Sequence, residues 1–227
     1  MNMKKIFASA AAALLLVGTV PAVAAPELTS EQVSEAQIKA NKIVPDKKVN
    51  FVFAEWKDYH AEEGDFMRDD IRTTADAYWI TPYCHVMNEQ ITQTRTGNRD
   101  FKAIPEAGKE YQLRIMIASR RLDVDAIRDA EIIVKQGKRE LVPMRVRYTN
   151  LQRAVETELV RRITWNKVGL VVDFAADDVE DKIPLEVIIK ANGNTPIIFP
   201  TFENNAEYDS YDTKNHKFQW YPLHSKL

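Results

Sequence analysis

Cys84 and His85 stand side by side and are the residue pair that most suggests catalytic chemistry. A cysteine nucleophile needs a histidine within hydrogen-bond reach to accept its proton. The pattern from Trp79 to Met87 predicts a strand, which is bent or at a sheet edge because of Pro82. Neighbouring side chains on a strand point to opposite faces, so the two would not form a direct dyad. We therefore predict that Cys84 is a packed core residue, with an intermolecular disulfide as the alternative.

Three arginines are the strongest candidates for a binding surface. Residues 111–168 contain 13 Lys/Arg and 7 Asp/Glu, a net charge of +6, between two acidic segments. Arg114, Arg145 and Arg147 fall on the polar sides of strands predicted in this block. In a shared sheet they would form a positive face, and arginine offers planar bidentate contacts to anions. We predict that this face either binds an anionic ligand or partner, or pairs with the protein's own acidic residues.

Carboxylates cluster in a predicted loop and at its flank, at residues 173–181. The candidates for ligating calcium are Asp173, Asp177, Asp178 and Asp181. Calcium takes several oxygen ligands, which such a loop can gather, but the ligand order of an EF-hand is absent. The alternative is a solvated loop. A pair of carboxylates elsewhere in the chain could also catalyse glycoside hydrolysis, which leaves no sequence signature.

The C-terminal segment is rich in aromatic side chains, beginning with Phe199 and Phe202. Tyr208, Tyr211 and Trp220 are our candidates for contacts with a partner, because Tyr and Trp are enriched at protein interfaces. An exposed aromatic row can also stack on sugar rings. The alternative is that the tail docks its aromatic side chains on the core, where they bury a large area.

Several classes of enzyme are excluded by the usage of glycine, histidine and cysteine. The chain has seven glycines, and none are spaced for a G-x-G-x-x-G turn, a P-loop or a nucleophile elbow. Its four histidines lack the spacing of a zinc site, and one cysteine cannot complete the motif of a zinc deaminase. We predict no cofactor, no bound metal and no catalytic residue, and favour a protein that is not an enzyme.

The first secondary-structure element that the sequence predicts is a helix, from Leu28 to about Val44. Thr29 is followed three residues later by Gln32, the pattern of a capping box. Apolar residues recur at helical spacing behind it, and Pro45 ends the helix.

Alternating apolar and polar residues predict seven or eight short strands in the rest of the chain. The sequence Gln136-Gly137-Lys138 predicts a hairpin turn between arms at 130–135 and 141–148. Residues 59–74 are predicted as a loop, and residues 149–160 are ambiguous but fit a short helix. Short strands with regularly spaced turns predict an antiparallel β-sandwich.

The segment from Val168 to Ile189 resembles the closing strands of exported immunoglobulin-like sandwiches. The resemblance is limited to this segment and carries no specific motif. It implies a sandwich architecture and brings no function with it.

The N-terminal segment has the features of a secretory signal peptide. A short basic start with Lys4 and Lys5 precedes an apolar run from Ile6 to Val20. The run is too short to span a bilayer, which needs about 20 residues. Ala22-Val23-Ala24 fits the small-residue cleavage site, so we predict cleavage after Ala24. An uncleaved anchor is the alternative.

The chain has 227 residues, a formal net charge of −2 and one cysteine. The balanced charge disfavours a dedicated nucleic-acid binder. We predict a signal peptide at residues 1–24, a helix and linker at 25–48, and one β-rich domain at 49–227. A domain of this size can bury a sufficient core without disulfides.

Taken together, the sequence predicts an exported, soluble, non-enzymatic binding protein of the bacterial periplasm or cell exterior. Its expected partner is a protein or an anionic ligand, with no membrane span in the mature chain. The alternatives are a secreted, carbohydrate-active hydrolase that uses a carboxylate pair, and a calcium-stabilised surface module.

Overall fold

A computed structural model describes residues 27–63, 71–98, 108–120, 124–158, 161–191, 196–205, 211–214 and 223–225. The predicted signal peptide lies outside these residues. The helices are α1 (Ser30–Ile43), α2 (Pro82–Arg95) and α3 (Val124–Arg128). The strands are β1 (Phe51–Phe53), β2 (Glu55–Glu63), β3 (Ile71–Ile80), β4 (Glu110–Ser119), β5 (Glu131–Gln136), β6 (Arg139–Glu140), β7 (Arg145–Thr149), β8 (Gln152–Glu158), β9 (Arg161–Ala175), β10 (Leu185–Lys190), β11 (Ile197–Ile198), β12 (Asp212–Lys214) and β13 (Leu223–Ser225).

Most of these strands belong to two antiparallel sheets. The larger sheet has the order β13-β7-β9-β4-β3-β2, with β8 also paired to β9. The smaller sheet has the order β11-β10-β5-β6, and β1 pairs with β12 apart from both. Strand β9 spans 15 residues and pairs with β4, β7 and β8, so it is the central strand of the larger sheet.

The larger sheet is covered on both faces. One face packs on the smaller sheet through a core that includes Trp79, Leu113 and Val172 from one sheet and Val187 from the other. The opposite face packs on α1, α2 and β1 through a second apolar cluster. The predicted fold class, a mainly β antiparallel sandwich with an N-terminal helix, is therefore confirmed. The helices add a third layer to the sandwich.

Helix α1 begins where the capping box predicted it. The backbone N–H of Gln32 donates to Thr29 Oγ1 at 3.3 Å, and the Gln32 side chain accepts from the Thr29 N–H at 2.8 Å. These bonds satisfy two of the N–H groups that the first turn leaves without partners. Ala36 and Ala40 are fully buried, and their small side chains let α1 pack closely on α2.

The predicted strand at residues 79–87 is wrong beyond Ile80. Strand β3 ends there, and α2 begins at Pro82 with Thr81 as its N-cap. Proline is well suited to the first turn of a helix, because its missing N–H would have no intrahelical partner there. Pro82 is therefore a helix start rather than a mark of a bent strand.

Three other predictions are corrected by long-range strand pairing. Residues 59–74, predicted as a loop, contain the facing ends of β2 and β3. Residues 152–158 form β8 against β9 rather than a helix, since pairing overrides a weak local preference. The turn at Gly137 is confirmed, with φ of 59°, but its second arm is only β6. The chain then crosses to the larger sheet as β7.

The C-terminal aromatic residues do not share one environment. Phe199 and Phe202 are buried in the core between the sheets, which confirms docking for the start of the tail. Tyr211 is 36% exposed. Tyr208 and Trp220 lie outside the described residues. Within the described part of the chain, no helix is both long and apolar enough to cross a membrane.

Asn88 on α2 anchors β1 to the helical layer and offers a test of the fold. Its side chain accepts from the Val52 N–H and donates to the Val52 carbonyl, each at 2.8 Å. We expect Asn88→Ala to lower the free energy of unfolding by about 2 kcal/mol or more, because two buried backbone groups lose their partners. Urea denaturation measures this change. The exposed control Asn98→Ala should change it by less than about 0.5 kcal/mol, and an equal loss in both variants would contradict this role.

Candidate functional site

The structure brings Arg114, Arg145 and Arg147 together on one face of the larger sheet. Arg145 lies opposite Asp173 in the pairing of β7 with β9, and Arg147 lies opposite Val171. Arg114 on β4 also lies opposite Val171, from the other side of β9. Directly opposed residues share a sheet face, so all three arginines point to the helix-covered side.

A single carboxylate organises these arginines. Asp173 Oδ2 accepts a hydrogen bond from Arg145 Nε at 2.7 Å and another from Arg147 Nη2 at 2.9 Å. Its Oδ1 accepts from Gln112 Nε2 at 2.7 Å, and Gln112 in turn accepts from Arg114 Nε. We call these five residues the arginine cluster. The predicted basic face therefore carries its own counter-charge at its centre.

Asp173 is fully buried and remains ionised. Burial by itself would raise the pKa of its carboxyl group, but Arg147, Gln112 and Arg145 outweigh burial and hold the pKa below its usual 3.8. Charge-assisted hydrogen bonds of this kind favour the ionised form of the acceptor. The carboxylate is therefore a permanent negative charge at neutral pH.

The cluster has one open end, at Arg145. The side chain of Arg145 is 47% exposed, against 21% for Arg147, while Arg114 is buried with its guanidinium 5.3 Å from the centre of the Phe51 ring. Arg145 also donates to Glu110 Oε2 at 3.3 Å. The Arg145 side chain thus contacts two carboxylates, those of Asp173 and Glu110.

His85 is part of this site and was not recognised in the sequence. It lies on α2, which packs on β3 and β4, and it is 7% exposed. Its pKa is lowered to about 4, first by burial and next by the positive charge of Arg114. Its Nδ1 makes no hydrogen bond with the described residues, and its Nε2 lies 3.9 Å from Glu89 Oε1. Thr81 followed by Pro82 is the sequence pattern of a helix start, and recognising it would have predicted His85 on a helix.

Cys84 is fully buried in the apolar cluster beneath the helices, as predicted for a core residue. Burial raises the pKa of its thiol to about 11. The thiolate is the nucleophilic form of cysteine, and it is scarce at neutral pH for such a group.

The acidic segment after β9 is divided between two environments. Asp173 belongs to the arginine cluster, whereas Asp178 and Glu180 pair with Arg139 at 3.2 and 3.4 Å. Asp177 and Asp181 are exposed. Among the described residues, no three His, Cys, Asp or Glu side chains are placed to hold a metal. The structure does not bring the four candidate aspartates together as one set of ligands.

A pocket of about 220 Å³ opens where β4 begins and β9 ends, next to the arginine cluster. Its lining residues are Glu27, Lys109, Glu110, Met144, Ala175, Ala176 and Asp177. The pocket has carboxylates, as the hydrolase interpretation requires, but the described residues of its lining include no aromatic side chain to hold a sugar ring. Glu110 joins it to the cluster through Arg145.

Comparison with known proteins gives no relative from which a function can be transferred. No protein-family model matches the chain, and no curated protein matches it. Its function is therefore inferred from the arginine cluster and the pocket.

Removing the charge of Asp173 tests whether the arginine cluster depends on this carboxylate for its stability. We expect Asp173→Asn to lower the free energy of unfolding by roughly 3–5 kcal/mol, because Arg145 and Arg147 lose a buried counter-charge. The matched control is Asp178→Asn, since Asp178 is half-exposed and its ion pair is with the exposed Arg139. Its effect should be within about 1 kcal/mol. Similar losses for the two variants in urea denaturation would contradict the central role of Asp173.

His85 should make the fold sensitive to acid. Its pKa is about 4 in the folded chain and about 6.5 when unfolded, so the unfolded state binds the proton more tightly. Neutral His85 makes its full contribution to the free energy of unfolding above pH 6.5. This contribution is lost as the pH falls to about 4. The loss should amount to about 3 kcal/mol.

Stability curves at pH 7 and pH 4.5 measure this linkage. His85→Gln should flatten the pH dependence in that window, whereas His60→Gln, at an exposed position on β2, should leave it unchanged. A wild-type chain equally stable at both pH values would contradict the assignment.

Proposed function

We propose that this chain is an exported, non-enzymatic binding protein that captures an anionic group of its partner at Arg145. The observation that carries the proposal is the position of that arginine. Its side chain is 47% exposed, and its Nε donates to a carboxylate that has no exposure to solvent. Its hydrogen bonds with the described residues use Nε and Nη2, which leaves guanidinium donors for a ligand.

Preorganisation supports binding at this position. A free arginine side chain loses rotamer entropy when it binds a ligand, which weakens the contact. Here the Nε of Arg145 is already fixed on Asp173, and one Nη2 hydrogen on Glu110. A guanidinium also favours a carboxylate or phosphate as the bound group, because its planar donors match their oxygens.

The side chains of the site support binding rather than catalysis. His85 is neutral and buried, and Cys84 is a protonated core thiol. Asp173 is ionised but has no access to solvent, so it would not reach a substrate. The group that does reach solvent is Arg145, whose guanidinium binds anions and stays protonated at neutral pH.

The export part of the proposal is supported by the sequence. The basic start, the short apolar run and Ala22-Val23-Ala24 are together typical of a cleaved secretory signal. One buried cysteine is compatible with an oxidising compartment, because it has no second cysteine in the chain with which to pair.

Arg145→Ala tests the binding function. The probe is a polyglutamate peptide, titrated by fluorescence anisotropy at low and physiological salt. We expect binding that weakens as salt rises, and a loss of about tenfold in affinity for Arg145→Ala, which corresponds to one charge-assisted contact. Arg147→Ala and Arg114→Ala should also weaken binding, through loss of positive charge.

The matched control is Arg139→Ala. Its side chain is 45% exposed and forms two ion pairs, so it resembles Arg145 in exposure and charge but lies on the smaller sheet. Affinity should not change in this variant. Equal losses in the two variants would show non-specific attraction to the polyanion, and no loss in either would overturn the proposed site.

A further inference from the structure

The pocket beside the arginine cluster has an apolar wall that is open to solvent. Met144 in this wall is 56% exposed although it is a large apolar residue, and Ala175 and Ala176 belong to the same lining. The volume of about 220 Å³ is many times the 10–15 Å³ that one water needs, so a chain of several carbon atoms has room to enter. Contact with such a chain would remove the Met144 surface from water, which favours an aliphatic group as the occupant.

The polar part of the described lining is mainly acidic. Glu27, Glu110 and Asp177 contribute carboxylates, and Lys109 contributes an ammonium group. Glu27 Oε2 lies 3.1 Å from Lys109 Nζ, and Glu110 Oε2 lies 3.3 Å from Arg145 Nη2. Asp177 is exposed and forms no ion pair or hydrogen bond with any residue that the structure describes. A cation in the pocket would therefore give Asp177 a counter-charge.

We propose that this pocket binds the side chain of a lysine of the partner. The aliphatic stem of that lysine packs against Met144, and its ammonium group lies near Asp177 and Glu110. Lysine suits such a lining because its methylene groups cover apolar surface while its charge stays at the end of the stem. The inference rests on the proposed function and deepens it, since Glu110 belongs both to the pocket and to the surroundings of Arg145.

The arrangement of the carboxylates favours an ammonium group over other cations. Glu27 precedes α1, Glu110 begins β4 and Asp177 follows β9, so the carboxylates come from three separate segments around the pocket. The three donors of an ammonium group rotate about the stem, whereas the donors of a guanidinium lie in one fixed plane. A calcium ion needs several oxygens at about 2.3–2.6 Å, and no three His, Cys, Asp or Glu side chains in the described part of the chain are placed to hold a metal. An ammonium group pairs with a carboxylate at distances up to about 4 Å and needs no such convergence.

The position of Glu110 limits the sequence of the partner. Its carboxylate lines the pocket and also accepts from Arg145, and Met144 of the pocket directly precedes Arg145 in the chain. A partner segment that places a carboxylate on Arg145 therefore has its lysine a short distance away. Side chains two residues apart in an extended segment lie on one side, about 6.5 Å from each other. We expect the partner to carry an acidic residue and a lysine with one residue between them.

Binding in the pocket is tested with n-butylammonium, which has the stem and the charge of a lysine side chain but no anionic group for Arg145. The signal is the methyl resonance of Met144, which is assigned from its absence in Met144→Leu. We expect a saturable shift of this resonance with n-butylammonium, and no saturable shift with 1-butanol, which has the same stem without the charge. Asp177→Asn should weaken binding by about two- to fivefold at low salt, as expected for one exposed ion pair. Asp181→Asn, at an exposed position nearby in sequence, should leave it unchanged.

The lysine of the partner is tested with two labelled peptides, measured by fluorescence anisotropy. One has three repeats of Glu-Thr-Lys-Thr, and the other has three repeats of Glu-Thr-Gln-Thr. Because the peptides differ in net charge, the quantity compared between protein variants is the ratio of their two affinities. We expect Asp177→Asn to lower this ratio by about two- to fivefold against the lysine peptide, and Asp181→Asn to leave it unchanged. Arg145→Ala should weaken the binding of both peptides.

The two experiments separate failure of this inference from failure of the proposed function. A Met144 resonance that responds equally to n-butylammonium and 1-butanol, or equally in the two aspartate variants, would overturn the ammonium site. A peptide ratio that Asp177→Asn does not change would overturn the assignment to a lysine of the partner. If n-butylammonium binds as expected but Arg145→Ala weakens neither peptide, the ammonium site stands and the proposed function at Arg145 is contradicted.

Discussion

The buried carboxylate of Asp173 is the constraint on which the rest of the structure depends. A charge without exposure to water is costly unless it is paired and fully hydrogen-bonded. Asp173 meets this requirement only when β4, β9 and β7 lie side by side, because Gln112 comes from one neighbour and both arginine partners come from the other. The pairing of the three central strands is thus tied to one residue in addition to their apolar core. The same contacts position the basic group that we assign to binding.

The helical layer follows from the same chemistry. A sheet face carrying charged and polar groups next to Tyr78 and Val171 cannot be covered by a second apolar sheet, and α2 covers it instead with both kinds of side chain. Asn88 bonds to the backbone of β1, and His85 stays neutral over the arginines. The two faces of the larger sheet therefore differ in their chemistry. One face packs on the smaller sheet through apolar side chains. The other carries hydrogen-bonded charged and polar side chains, together with the apolar side chains that contact the helices.

How much the sequence predicts depends on whether the signal is local. The capping box of Thr29 and Gln32 and the turn at Gly137 are local, and both were located correctly. The arginines were selected because they lie on the polar sides of their strands, which is also a local pattern. Their partner Asp173, at the flank of an acidic loop, was grouped with that loop as a calcium candidate, since nothing nearby in sequence shows that β7 pairs with β9. Likewise, β8 is a strand because β9 is its neighbour, and α2 was missed because Pro82 is compatible with both a strand edge and a helix start.

The position of Arg145 at the end of the cluster argues that internal pairing and ligand binding are compatible. The sequence offered these as alternatives: either the basic face pairs with acidic residues of the chain, or it binds an anion. In the structure the counter-charge lies behind the guanidinium and is buried, while the opposite side of the cluster faces outwards. Internal pairing therefore holds Arg145 in place while its side chain stays 47% exposed. A single buried acid can in this way both stabilise the sheet and fix the position of an exposed arginine.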